Sequence, residues 1–240
     1  MKSKLLIIQL TIFMLFCASC AKAQTLGAGI SVDSQGNLVI NAPLYVFDRY
    51  GENPKLELAP SSMNYEVSAC IFYGEDVVDP LDFKGEIKKG NLSLTIKEPS
   101  EINLVKTMYF WGIPERFFTN GANEKIGMLY LTIDNNGNIR RLWLYPNRNA
   151  RILLKGNKEV NKYYIDGENC EFFYSLGEVN IIGKINESKF WNWRGDFNLH
   201  LKQGWNIVST RKYFDDTLNK DTETLTSVTL SKDAVWVLIK

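Results

Sequence analysis

A single histidine, His200, stands among 240 residues. A His-based zinc site needs companions that the chain does not offer, because both cysteines of its body lie far from His200 in sequence. A Ser–His–acid triad would have to use the same histidine, yet no Gly-x-Ser-x-Gly elbow occurs anywhere. There is no Gly-rich phosphate-binding loop either. Beyond residue 23 no window carries apolar residues at i, i+3, i+4 and i+7 over three turns, so long amphipathic helices are excluded. No apolar run reaches the roughly 20 residues of a membrane-spanning helix. Pro- or Ser-rich linkers and low-complexity runs are lacking as well. Charge bias is slight. The formal net charge is +1, and removing Lys2, Lys4 and Lys22 leaves 25 basic against 27 acidic residues, a formal −2. That balance provides no electrostatic footprint for nucleic acid or for an anionic membrane surface.

What is present begins at the N-terminus. Lys2 and Lys4 precede an apolar stretch from Leu5 to Phe16, broken only by Gln9 and Thr11, and small residues follow. This is the order of a secretory signal, so residues 1–23 read as a targeting segment and 24–240 as the exported body. Two processing routes compete. Ala21-Lys22-Ala23 fits cleavage after Ala23, giving a secreted or periplasmic chain that starts at Gln24. Cys17-Ala18-Ser19-Cys20 resembles a bacterial lipobox with Cys20 as the lipidated residue, although Cys17 stands where Leu is usual. One such anchor tethers a body to the membrane without making it span. Cys70 and Cys170 remain in the body, where an exported chain can pair them in a disulfide or keep both as buried thiols.

From residue 28 onward, short period-two runs alternate with turn signals. Leu92, Leu94 and Ile96 fall on one face of Asn91–Lys97. Phe197, Leu199 and Leu201 do the same opposite Asn198, His200 and Lys202, while Val235–Ile239 is apolar on both faces. Period two means strand. Asp33-Ser34-Gln35-Gly36-Asn37 and Asp134-Asn135-Asn136-Gly137-Asn138 repeat one turn device, with Asp to cap and Gly for a positive φ. The second also matches the opening of a calcium loop, but Ile139 stands at the required Gly and Tyr145 at the required acid, so a tight turn is the better account. Lys88–Asn91 and Lys202–Trp205 are further Gly-centred reversals, and Asp166-Gly167 reads as a hairpin dipeptide. Residues 99–123 and 211–223 look least like strand; the first, with Phe110, Trp111, Phe117 and Phe118, reads as a crossover packed on the core. The expected fold is all-β, an antiparallel sandwich or barrel of about a dozen strands. It reads as one continuous unit, or as two halves over 24–105 and 106–240.

Aromatic residues make up 12% of the chain and come in clumps. Adjacent strand residues face opposite ways, so a clump exposes rings unless both faces are covered. Phe190, Trp191, Trp193 and Arg194, with polar Asn192 between them, make the best surface platform for a sugar or peptide, since rigid rings supply contact area at low entropic cost. Clustered acids (Glu75, Asp76, Asp79 and Asp82; Asp215 and Asp216) could run glycoside hydrolysis only at a defined separation.

Two stretches, Phe83–Ile96 and Leu199-His200-Leu201-Lys202-Gln203-Gly204-Trp205-Asn206-Ile207-Val208, together with a last strand holding Val235-Trp236-Val237, resemble small uncharacterised exported lipoproteins of host-associated bacteria. The shared features are a β meander, an L-K-x-G-W-N hairpin and a terminal W-V strand, covering about a fifth of the chain. The resemblance implies export and a β fold, and it brings no catalytic residues. The resulting expectation is a non-enzymatic envelope or secreted protein without a cofactor or metal. It would bind a glycan or protein partner through loops of a β scaffold and touch the membrane only through its anchor. A structural or adhesion lipoprotein and a glycoside hydrolase are the alternatives.

Overall fold

The computed structural model describes residues 24–240 apart from 49–54, 73–77, 81–82, 84, 111, 136, 147–152, 158–161, 186–192 and 216–219. The targeting segment and Cys20 therefore lie outside the described residues.

Nineteen strands are seen among the described residues. The first nine are β1 (Gln24–Gly27), β2 (Ile30–Val32), β3 (Leu38–Phe47), β4 (Leu56–Leu58), β5 (Tyr65–Phe72), β6 (Val78–Pro80), β7 (Gly85–Lys88), β8 (Asn91–Ile96) and β9 (Val105–Lys106). A crossover follows, with one helical turn at Thr107–Phe110 and a 3-10 turn at Glu115–Phe117. Then come β10 (Phe118–Asn120), β11 (Lys125–Asn135), β12 (Asn138–Tyr145), β13 (Leu153–Asn157) and β14 (Lys162–Ser175). The last five are β15 (Val179–Ile185), β16 (Trp193–Leu201), β17 (Gly204–Asp215), β18 (Lys220–Ser227) and β19 (Val235–Ile239).

Eight strands close a barrel. Its circuit runs β3–β8–β7–β5–β11–β14–β12–β19 and back to β3. β14 enters as a wedge: it pairs with Ile126–Leu129 of β11, whereas Leu131–Asn135 of the same strand pair directly with β12. Four consecutive strands of this one ring come from before residue 105 and four from after it, joined at β5–β11 and at the parallel β3–β19 pair, so 24–105 does not close by itself. β14 also opens an outer sheet, β14–β17–β18–β16–β15–β10, in which β16 and β18 are parallel.

The pleat decides which core each side chain joins. Leu129, Leu131, Phe172, Tyr174, Trp236 and Leu238 fill the barrel together with Leu92, Leu94 and Ile96. Ile126, Met128 and Phe173 point the other way, into a second core shared with Phe197, Leu199, Leu201, Val208 and Leu225. Ile113 joins this second core, and Phe110, Phe117 and Phe118 of the crossover pack against it, which is why that segment is apolar without being strand. The clump Phe172-Phe173-Tyr174 is thereby covered on both faces.

The repeated turn device behaves as its chemistry requires. Asp33 Oδ1 accepts from the Gln35 and Asn37 amides, at 2.8 and 3.0 Å, and Asp134 Oδ1 accepts from the Gly137 amide at 2.7 Å. Gly36 and Gly137 both sit at φ 84°, a region a side chain would strain. The 134–138 segment closes the β11–β12 hairpin, in keeping with a turn rather than a calcium loop.

Three expectations are corrected, and one open alternative is decided. Asp166-Gly167 is no hairpin turn but lies inside β14, where the strand passes from β13 as partner to β17. Residues 211–215 and 220–223 are strand, because β17 and β18 pair along their length and the ladder does not depend on an apolar face. The strand count exceeds a dozen because several strands have only two to four residues, too short to show a period. Of the two states open to Cys70 and Cys170, the structure shows the second, two buried free thiols. Register explains this last point: Cys70 pairs with Tyr130 on the outer face of the wall, and Cys170 lies in the barrel core beside Leu144. Burial, and secondarily Glu168 and Glu171, push the Cys170 thiol up to about 12, and burial raises Cys70 as well. Since the thiolate is the reactive form, iodoacetamide is expected to leave both residues unmodified in the native protein and to alkylate both after unfolding. Peptide mass mapping reads this directly, and a 70–170 cross-linked peptide would overturn it.

Candidate functional site

β1, the β16–β17 hairpin and the segment after β18 enclose a half-open cleft of about 320 Å³. Its size is at the lower end of the roughly 300–1,000 Å³ typical of small-molecule sites. The strand period builds one wall. Phe197, Leu199 and Leu201 turn into the second core, so His200 and Lys202 must face outward, and both line the cleft. Gly204, at φ 93°, reverses the chain, and Trp205 then returns along β17.

Asn206 fixes this hairpin. Its Nδ2 donates to the Lys202 carbonyl at 2.7 Å and to the Gly204 carbonyl at 2.9 Å, and its Oδ1 accepts from the Lys202 amide at 2.8 Å. The L-K-x-G-W-N pattern is thus a turn that holds Lys202 at the rim and Trp205 in the wall. Trp205 packs edge-on against Tyr174, with ring centroids 5.1 Å apart. Its indole N–H is buried and has no acceptor among the described residues. His200 contacts Asn180 Oδ1 through Nδ1 at 2.8 Å, which leaves Nε2 without a partner there. Neutral, Nε2 accepts from a ligand hydroxyl; protonated, it donates to an anion. The remaining polar lining includes Gln24, Thr25, Gln203, Ser227 and Thr229. Such a surface can bind and orient a small polar ligand. Among the described residues it holds no carboxylate for acid–base work.

A second polar cluster lies where β14 wedges between β11 and β12. Arg141 meets Glu171 at 3.1 Å, and its guanidinium lies over the rings of Tyr130, 3.7 Å away, and Trp143, 4.2 Å away. Thr210 Oγ1 and Asn169 Nδ2 donate to Glu171 at 3.2 and 3.4 Å. Lys212 pairs with Glu223 at 3.2 Å. Burial raises the Glu223 carboxyl more than Lys212 lowers it, and Glu171 adds to the rise. These acids are occupied by internal cations and donors, so the cluster reads as a seam that ties the outer sheet to the barrel.

The residues favoured from sequence fall differently. Phe190 and Trp191 lie outside the described residues. Trp193 and Arg194 start β16, where Arg194 is half-buried opposite Thr222. The side chains of Glu75, Asp76, Asp79, Asp82, Asp215 and Asp216 are likewise not among those described. Among the described residues no group of three or more His, Cys, Asp or Glu is placed to hold a metal, and no helix is long and apolar enough to cross a membrane. Sequence reasoning placed His200 and Lys202 on one polar face but did not gather them with Trp205 and β1. The resemblance motif carried the signal, since it contains His200, Lys202 and Trp205.

No protein-family model matches this chain, and neither does any curated protein or solved structure.

Proposed function

We propose that this is a non-enzymatic, exported envelope protein that binds a glycan or a protein-borne polar group in the cleft between β1 and the β16–β17 hairpin. The observation that carries the reading is the cleft itself, where one aromatic wall, two cationic-capable side chains and several amide and hydroxyl groups converge on one small volume. Few precisely placed polar groups beside an aromatic surface are what fixes a small ligand. Export rests on the targeting segment, and tethering at Cys20 on the lipobox likeness, so the ligand belongs to the envelope or the medium outside it.

The test is a glycan and peptide array probed with the full-length protein and with Thr229→Trp, which fills the cleft from an exposed position. A subset of ligands should be retained by the wild type and lost by the variant at unchanged melting temperature. Equal retention by both proteins would move the binding site elsewhere.

A further inference from the structure

The lining of the cleft is one-sided in charge. Lys202 and His200 are its ionisable groups, and no Asp or Glu contributes to it among the described residues. The salt bridges of the described residues leave Lys202 out. This local asymmetry contrasts with a body that carries almost equal numbers of acids and bases. Lys202 is exposed at the rim of the half-open cleft, so its ammonium is free to meet an anion that enters from solvent. The rest of the lining is suited to hydroxyls: His200 Nε2, the amides of Gln24 and Gln203, and the hydroxyls of Thr25 and Thr229. Trp205 adds a flat apolar wall and an indole N–H, nine-tenths buried with the ring, that lacks an acceptor.

From these observations we infer that the cleft recognises an acidic sugar-like group, a phosphate or carboxylate flanked by free hydroxyls, with Lys202 on the anion and His200 on a hydroxyl. The inference rests on the binding reading above and narrows it to one ligand class. Two sources carry this chemistry, a soluble acidic saccharide and a lipid headgroup. The headgroup is within reach if Cys20 is acylated. Gln24, which lines the cleft, follows Cys20 by four residues, a span of at most about 14 Å.

The experiment uses full-length ¹⁵N-labelled protein, with the Trp205 indole resonance assigned by its loss in Trp205→Phe. The probes are glucuronate, glucose 6-phosphate, neutral glucose, and phosphatidylcholine vesicles with and without phosphatidylinositol. Glucuronate or glucose 6-phosphate should shift the Trp205 indole and the amides of 200–206, glucose should not, and Lys202→Gln should weaken the response about tenfold or more at unchanged melting temperature. A response to the soluble acids alone supports the class with a soluble source; a response to phosphatidylinositol vesicles supports it with a lipid source. If glucose shifts the same signals and Lys202→Gln changes nothing, the anion inference is overturned while the binding reading stands. If no sugar and no vesicle shifts them, and Thr229→Trp loses nothing on the arrays, both are overturned.

Discussion

Trp236→Ala is expected to cost about 3–5 kcal/mol of folding stability, the range for removing a large aromatic from a packed core. Trp236 is 2% exposed and stacks on Phe172, with ring centroids 5.8 Å apart and an interplanar angle of 6°. The two rings come from β19 and β14, strands that never pair with each other but both border β12 in the closed ring. The stack therefore bridges the barrel interior across that strand, and its loss leaves a void no single loop can collapse into. Trp236→Phe separates ring loss from polar effects. The indole N–H has no acceptor among the described residues, so the phenyl ring loses volume but also removes an unsatisfied donor. Its cost should stay under about 2 kcal/mol. Denaturant unfolding monitored by far-ultraviolet dichroism reads both variants. A loss below 1 kcal/mol for the alanine variant would mean the barrel interior is not the cooperative core.

The second large effect concerns the seam. Glu171 is 6% exposed and meets one guanidinium and two neutral donors. Arg141→Met removes the cation and leaves the carboxylate buried, which in a fully enclosed pair costs about 3–5 kcal/mol; with Arg141 still 22% exposed, roughly 2–4 is expected. Glu171→Met should cost a similar amount, because it orphans Thr210 Oγ1, whose residue is fully buried. The double variant, Arg141→Met with Glu171→Met, should lose clearly less than the two single losses added, since neither charge is then left unpaired. Strict additivity in that cycle would show that the two groups do not communicate and that the seam is held by the Tyr130 and Trp143 rings alone.

Much of the fold is legible in the alternation of single strands. Leu92, Leu94 and Ile96 are buried in the barrel with exposed neighbours between them, and Phe197, Leu199 and Leu201 repeat the pattern in the second core. Val235–Leu238 is buried on both faces, as its unbroken apolar composition requires. The Asp-capped turns are equally plain, since each is decided by atoms within four residues. Asp166-Gly167 misleads for the converse reason. The dipeptide permits a turn, but pairing to β13 on one side of it and β17 on the other holds the backbone extended. The cleft was half legible. Period two placed His200 and Lys202 on one outward face, but nothing local indicated that β1, some 175 residues earlier, would form the opposite wall.

The amino-acid order by itself determined that the body is β, where its reversals fall, which face of each strand is apolar, and that its charge is balanced. Those are properties of neighbours in the chain, fixed by side-chain alternation and backbone sterics. Tertiary structure alone decided the rest. It closed eight strands into a ring by joining β19 to β3, wedged β14 between β11 and β12, and put Cys70 and Cys170 on opposite faces of one wall. It also gathered the cleft, with no carboxylate in its lining among the described residues, from segments at both ends of the body. Partner choice between distant strands is set by how whole apolar faces can be buried together, a sum over contacts far apart in sequence that no local pattern contains.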